Sequence, residues 1–242
     1  MKEKVDDKSL FRFKRFSLEN NVAGLKIGTD AVLLGAWAHP GNARTIWDVG
    51  TGTGVIALML AQRSEASITG FEIDPQAAAV AASNFKQSPW GDRMRVVVGD
   101  AVETAVRLSK ADLIISNPPY YAADSAIAAK VQARDVARRS SRLSFKDVIE
   151  IAAGKLSPDG NLFLVSPESA RSSIEWEAAI NNLKLRRLTA VRTKAGSPPT
   201  RLLWHFSRKG GTIVSDSLSI RDLDGAYTPD YIYLTKEYYL QF

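Results

Sequence analysis

The chain has 242 residues, 45% of them apolar and 24% charged, with a net charge of +6, which suits one soluble α/β domain with a sizeable core and favours a polyanionic partner. The absence of cysteine excludes disulfides, thiolate zinc sites, iron–sulfur clusters and cysteine nucleophiles; with only His39 and His205 present, a histidine-rich metal site is excluded too, and no metal is expected. No apolar run approaches the ~20 residues of a membrane helix, and Met1–Lys8 is charged with no apolar stretch behind it, so the expectation is a cytoplasmic protein with no membrane association.

Met1–Lys8 reads as a polar tail, and the alternation of apolar and basic residues over Phe11–Ile27 as a short hairpin or two irregular strands. Thr29-Asp30 is placed to cap a helix over Ala31–Ala38, stopped by Pro40-Gly41. A regular alternation follows: strand Thr45–Val49, helix Val55–Arg63, strand Ser67–Ile73, and a helix with Asp74 as N-cap and Pro75 in its first position. Arg95–Val98 and Leu113–Ser116 are the next strands. Ser144 and Asp147 form a capping box for a helix through Lys155, ending near Pro158-Asp159-Gly160. Strand Asn161–Val165, a helix over Glu168–Asn181 and strands Leu185–Arg192 and Arg201–Arg208 complete the core, with a helix-like tail over Tyr227–Phe242. Seven strands alternating with helices predict a mostly parallel sheet covered on both faces. Two units are expected: residues 1–40 as an extension, and residues 41–242 as a single α/β domain.

Asp48-Val49-Gly50-Thr51-Gly52-Thr53-Gly54 follows the first strand of that domain and precedes a helix. Glycines there let backbone approach a ligand closely and tolerate positive φ, the pattern of a nucleoside site at a strand's carboxyl end. Glu72 comes about twenty residues later, at the end of the next strand, where such sites place a carboxylate on ribose hydroxyls; the plain alternative is an exposed strand-end acid. A dinucleotide site spaces its third glycine one position later. With the preceding Asp48, the loop instead resembles motif I of class I S-adenosylmethionine-dependent methyltransferases. The resemblance implies a Rossmann-like seven-stranded sheet and S-adenosyl-L-methionine as cofactor, leaving S-adenosyl-L-homocysteine as product. It puts Gly50, Thr51, Gly52, Gly54, Glu72 and Ile73 at the cofactor, Asp48 near its methionine end, and Asp100 and Ala101 near its adenine.

Asn117-Pro118-Pro119-Tyr120 follows strand Leu113–Ser116. Two prolines there can be simply a rigid turn. The tetrapeptide also resembles the signature of methyltransferases acting on planar amide or aromatic amine nitrogens, whose lone pair is delocalised. Acceptors at the Asn117 side chain and the Pro118 carbonyl would favour the pyramidal amine of the attack. The prolines would hold those acceptors in place, and Tyr120 would offer a stacking face. Such a reaction depends on in-line positioning and needs neither a metal nor a strong base. A target base must leave its stack to be reached.

Phe11-Arg12-Phe13-Lys14-Arg15-Phe16, Leu25 through Trp37, Gln87-Ser88-Pro89-Trp90 and the doubled tyrosine Tyr120-Tyr121 together resemble the bacterial tRNA1(Val) adenine-37 N6-methyltransferases over nearly the whole chain. The resemblance implies methylation of the exocyclic amine of adenine 37 in a valine tRNA. It also implies a flap of Lys26, Thr29 and Asp30 on the cofactor pocket, against which residues 1–40 would pack; the alternative is that Thr29-Asp30 only caps its helix. The basic stretch Lys130–Lys146, with Arg134, Arg138, Arg139 and Arg142, is placed to follow RNA phosphates, or is a solvated charged face. Arg138-Arg139-Ser140 departs from the family, where an aromatic residue or histidine follows the arginine, and this bears on RNA specificity. The partner expected is tRNA, with no obligate protein partner.

Other readings stay open at this stage. The same tetrapeptide serves methyltransferases of other RNA bases, of DNA adenine and of protein glutamine. An NAD-dependent oxidoreductase is disfavoured by the early third glycine, and a non-catalytic RNA-binding module by the intact Asp48, Glu72 and Asn117.

Overall fold

A computed structural model describes residues 10–20, 27–119 and 143–241. Strands β1 (Leu10–Arg12) and β2 (Ser17–Glu19) form a small antiparallel hairpin, and α1 spans Thr29–Trp37. The regular alternation follows with β3 (Thr45–Val49), α2 (Val55–Ala61), β4 (Ser67–Glu72), α3 (Pro75–Gln87), β5 (Met94–Val98), α4 (Ala101–Ala105) and β6 (Ala111–Ser116). The chain continues through α5 (Phe145–Lys155), β7 (Leu156–Pro167), α6 (Arg171–Ile180), β8 (Lys184–Lys194), β9 (Arg201–Ser207), β10 (Val214–Arg221) and α7 (Pro229–Thr235). The hairpin, the mostly parallel sheet and the helices on both faces are the architecture the sequence implies.

The main sheet runs β10-β8-β9-β7-β6-β3-β4-β5, with β9 antiparallel to both of its neighbours. It has eight strands, one more than the seven expected. The additional strand, β10, pairs in parallel with β8 at the sheet's edge. Its sequence Val-Ser-Asp-Ser-Leu-Ser-Ile-Arg is polar because Leu218 alone is fully buried, so no apolar run marked it.

Period-two alternation feeds two cores, one on each face. On β6, Leu113 and Ile115 face one core and Ile114 the other; on β9, Leu203 faces the first and Leu202, Trp204 and Phe206 the second. The first core lies under α1, α2, α3 and the hairpin, the second under α4, α5 and α6. His205 stacks on Phe163 at 4.4 Å, and its Nε2 meets Asn161 Oδ1 at 2.8 Å. Burial pushes its imidazole down to about 4, so the ring is neutral and part of the packing.

Helix ends follow local chemistry. Asp74 caps α3 by accepting from Gln76 N and Ala77 N, with Pro75 in the first turn. Ser144 and Asp147 form the capping box of α5. The expected cap at Thr29-Asp30 is corrected: α1 begins at Thr29, its N-cap is Gly28, and no side chain caps it. The Asp30 carboxylate instead pairs with Arg201 at the start of β9, 2.8 Å away.

Two features of the sheet position the site. The strand order reverses between β3 and β6, creating the crevice where open α/β sheets bind ligands. In addition, the registers put Ser116 level with Leu164, Trp204, Leu188 and Ser215 across five strands. From that level β8 continues to Lys194 and β10 to Arg221, roughly 20 Å of extra rise. Strands β8 and β10 therefore stand as a wall beside the crevice, with β7 and β9 reaching about half as far.

Candidate active site

The crevice holds a cavity of about 520 Å³ at the carboxyl ends of β3, β4, β5 and β6. Gly50, Gly52, Glu72, Ile73, Asp100, Ala101, Asn117 and Pro119 line it, bringing the glycine loop, both strand-end acids and the tetrapeptide to one space.

Backbone hydrogen bonds stitch these loops together. Gly50 N and Thr51 N donate to Phe71 O at 3.0 and 2.9 Å, folding the glycine loop onto the end of β4. Gly99 N donates to Glu72 O at 2.9 Å, joining β5's end to β4's. The Ser116 hydroxyl donates to Val49 O at 2.6 Å, joining β6's end to β3's. The Glu72 carboxylate accepts from Gly52 N at 2.9 Å and Asp74 N at 3.0 Å. With two acceptor sites on each oxygen, it keeps capacity toward the cavity. Asp100 caps α4 by accepting from Val102 N at 2.8 Å.

The three loop glycines all have positive φ, 76°, 56° and 87° at Gly50, Gly52 and Gly54, which accounts for their spacing. At Gly54 a Cβ would also come within 2.5 Å of the Phe85 ring.

Other expected residues stand apart from the cavity lining. Asp48 is 1% exposed behind the loop, where one oxygen accepts from Thr51 Oγ1 at 2.7 Å and Ala57 N at 3.2 Å. Its other oxygen is buried with no hydrogen-bond partner among the described residues. Burial above all, and then the nearby Glu72 charge, push its carboxyl up to about 7 against the two hydrogen bonds. Thr51 and Gly54 are buried in the same framework, and Pro118 is buried beneath Pro119. No described residue between 10 and 40 lines the cavity: Asp30 is engaged by Arg201, and Thr29 faces a separate, smaller cavity. Lys26, Tyr120, Tyr121 and the arginines Arg134, Arg138, Arg139 and Arg142 lie outside the described residues.

Sequence reading missed Phe71, Gly99, Val102, Glu103, Leu143 and Asp147, which also line the cavity. Val102 and Glu103 lie on the first turn of α4, so their proximity to Asp100 was a usable signal. Leu143 and Asp147 arrive by tertiary packing of α5's start, with Leu143 Cδ2 3.1 Å from where a Gly50 Cβ would stand. The lining carries four carboxylates, Glu72, Asp100, Glu103 and Asp147, and no lysine or arginine among the described residues. Ile73 and Val102 are 44% and 45% exposed, so the lining also offers apolar surface.

The methyltransferase small domain family matches residues 22–190. A tRNA1(Val) (adenine(37)-N6)-methyltransferase of Yersinia enterocolitica is 37% identical over 235 residues, covering 96% of this chain and 93% of its own. One from Bacteroides fragilis is 39% identical over 233 residues, covering 96% and 98%. Among solved structures, a predicted O-methyltransferase of Agrobacterium tumefaciens superposes with a TM-score of 0.67 at 21% identity, covering 86% of this chain and 96% of that one, a likeness of fold.

Proposed function

Since the chain belongs to the tRNA1(Val) (adenine(37)-N6)-methyltransferase family, we propose that it transfers the methyl group of S-adenosylmethionine to the exocyclic N6 amine of adenine 37 in that tRNA. The observation that carries the reading is the single cavity shared by Glu72, Asp100 and Asn117. Its volume falls in the usual range for cofactor sites, and its donor set suits this one: carboxylates for ribose hydroxyls and an amine, and exposed aliphatics for a purine.

The bound cofactor supplies an electrophilic methyl on a good leaving group. The chain's own residues position both reactants. Glu72, whose carboxylate already braces Gly52, would hold the ribose hydroxyls. Ile73, Val102 and Asp100 would hold the cofactor's adenine. Asn117 Oδ1 and the Pro118 carbonyl accept the two hydrogens of the target amine and stabilise the pyramidal nitrogen of the transition state. Tyr120 stacks on the extruded base. Arg134, Arg138, Arg139 and Arg142 act on phosphates, which position RNA without reading its sequence. The protein works in the bacterial cytoplasm with tRNA as its macromolecular partner.

The test is methyl transfer from labelled cofactor to an unmodified tRNA1(Val) transcript, with nucleoside mass spectrometry of the product. N6-methyladenosine should form, and changing adenine 37 to guanine should abolish it. Asn117→Ala should lower kcat about 100-fold or more while S-adenosylhomocysteine still binds. Equal labelling of the altered transcript, or methyl transfer only to DNA or protein, would overturn the reading.

A further inference from the structure

Building on that reading, we propose that a second, aromatic cavity on the same edge of the sheet receives an unstacked base of the substrate RNA. This cavity of about 210 Å³ is lined by Phe11, Thr29, Tyr227, Tyr239 and Gln241, among others. It is smaller than the ~300–1,000 Å³ of drug-sized sites and suits one planar ring system. Its walls come from the N-terminal hairpin and the start of α1 on one side, and from the distant segments flanking α7 on the other. Three aromatic rings supply apolar surface. Thr29 and Gln241 add polar groups to the lining. Apolar faces combined with a polar rim are what RNA-binding proteins present to a splayed base.

Its location supports the assignment. Tyr227 forms a backbone bridge with Arg221, the last residue of β10, whose guanidinium lies 4.3 Å from the Tyr227 ring centre. Thr29 adjoins Asp30, which is paired to Arg201 at the start of β9. Both anchors belong to the wall that rises past Ser116, two to four strands from β6, or roughly 10–19 Å. An RNA loop with its adenine in the first cavity would reach the second by crossing this edge.

Arg221, whose guanidinium sits over the Tyr227 ring, brings a positive charge to the cavity wall. The nearby Asp222 is turned to its own loop, where Oδ1 accepts from Asp224 N and Ala226 N, both at 2.9 Å. The start of α1 next to Thr29 carries no side-chain cap, which adds amide donors on the same side.

The experiment uses the full-length protein and tRNA1(Val) carrying photoreactive thiouridine or thioguanosine through its anticodon arm. Irradiated complexes are digested and the crosslinked peptides identified. Crosslinks should map to the segments holding Phe11, Tyr227 or Tyr239; crosslinks confined to other segments overturn the proposal. In parallel, Phe11→Ala should raise KM for tRNA about tenfold with a smaller effect on kcat, and Phe11→Tyr should restore it. An unchanged KM in a folded Phe11→Ala protein also overturns the proposal. Should Phe11→Ala fail to fold, the crosslinks on the wild-type protein decide alone. A wild-type protein that methylates no tRNA refutes the parent reading and this one with it, whereas turnover with crosslinks elsewhere refutes this one alone.

Discussion

The Ser116 hydroxyl donates to the Val49 carbonyl at 2.6 Å, so the residue before Asn117 is pinned to the residue before the glycine loop. The bond is buried and spans the point where the strand order reverses. Ser116→Ala should cost about 1–2 kcal/mol in urea unfolding, the scale of a lost buried hydrogen bond. It should also lower kcat, because Asn117 is then less firmly placed relative to the cofactor loop. A variant as stable and as active as wild type would show that the strand ends need no such tie.

Glu72 connects the glycine loop to the turn after β4 through Gly52 N and Asp74 N. Glu72→Gln keeps the shape but converts one acceptor into a donor and removes the charge. S-adenosylhomocysteine affinity by titration calorimetry should fall about tenfold or more, equivalent to at least ~1.4 kcal/mol. Unchanged affinity would show that the carboxylate braces backbone only.

Asp48 gives a pH signature. Its folded carboxyl titrates near 7, above the ordinary 3.8. Between those values the folded chain keeps a proton that the unfolded chain has lost. The stability this proton provides is complete below about pH 4 and is lost as pH rises to about 7. Asp48→Asn removes the titration. From pH 4 to 7, wild type should therefore lose up to about 4 kcal/mol relative to the variant, measured by denaturant unfolding at a series of pH values. Parallel pH profiles for the two proteins would rule this out.

Gly54 combines a φ of 87° with a Phe85 ring 2.5 Å from any added Cβ. Gly54→Ala should destabilise the protein by about 2 kcal/mol or more. Adding Phe85→Leu should relieve the clash but not the backbone strain, giving partial recovery of Tm. Full tolerance of Gly54→Ala would mean that the loop relaxes at no cost.

Much of the fold was legible because the buried parallel strands are apolar runs punctuated by glycine, proline and aspartate. Asp74-Pro75 and Ser144-x-x-Asp147 marked helix starts through local side-chain chemistry, and the structure keeps both. What stayed hidden depended on tertiary contacts. Strand β10 gains its place from pairing with β8 rather than from apolar content. Asp30 meets Arg201 from far along the chain, so a local capping rule could not foresee its partner. In the site, the motif spacing located the loops but could not separate residues that touch the cavity, such as Gly52 and Glu72, from Asp48 and Thr51 beneath them. Leu143 and Asp147 reach the cavity only because α5 packs across it.

The antiparallel course of β9 has a consequence for how this enzyme can vary. Because β9 runs against β8, their connecting loop, residues 195–200, emerges beside the catalytic strand end instead of at the opposite edge. Insertions or deletions there would reshape that rim while leaving the loops after β3, β4 and β5 intact, and grafting the loop between relatives should alter the rim without disturbing the cavity those loops line.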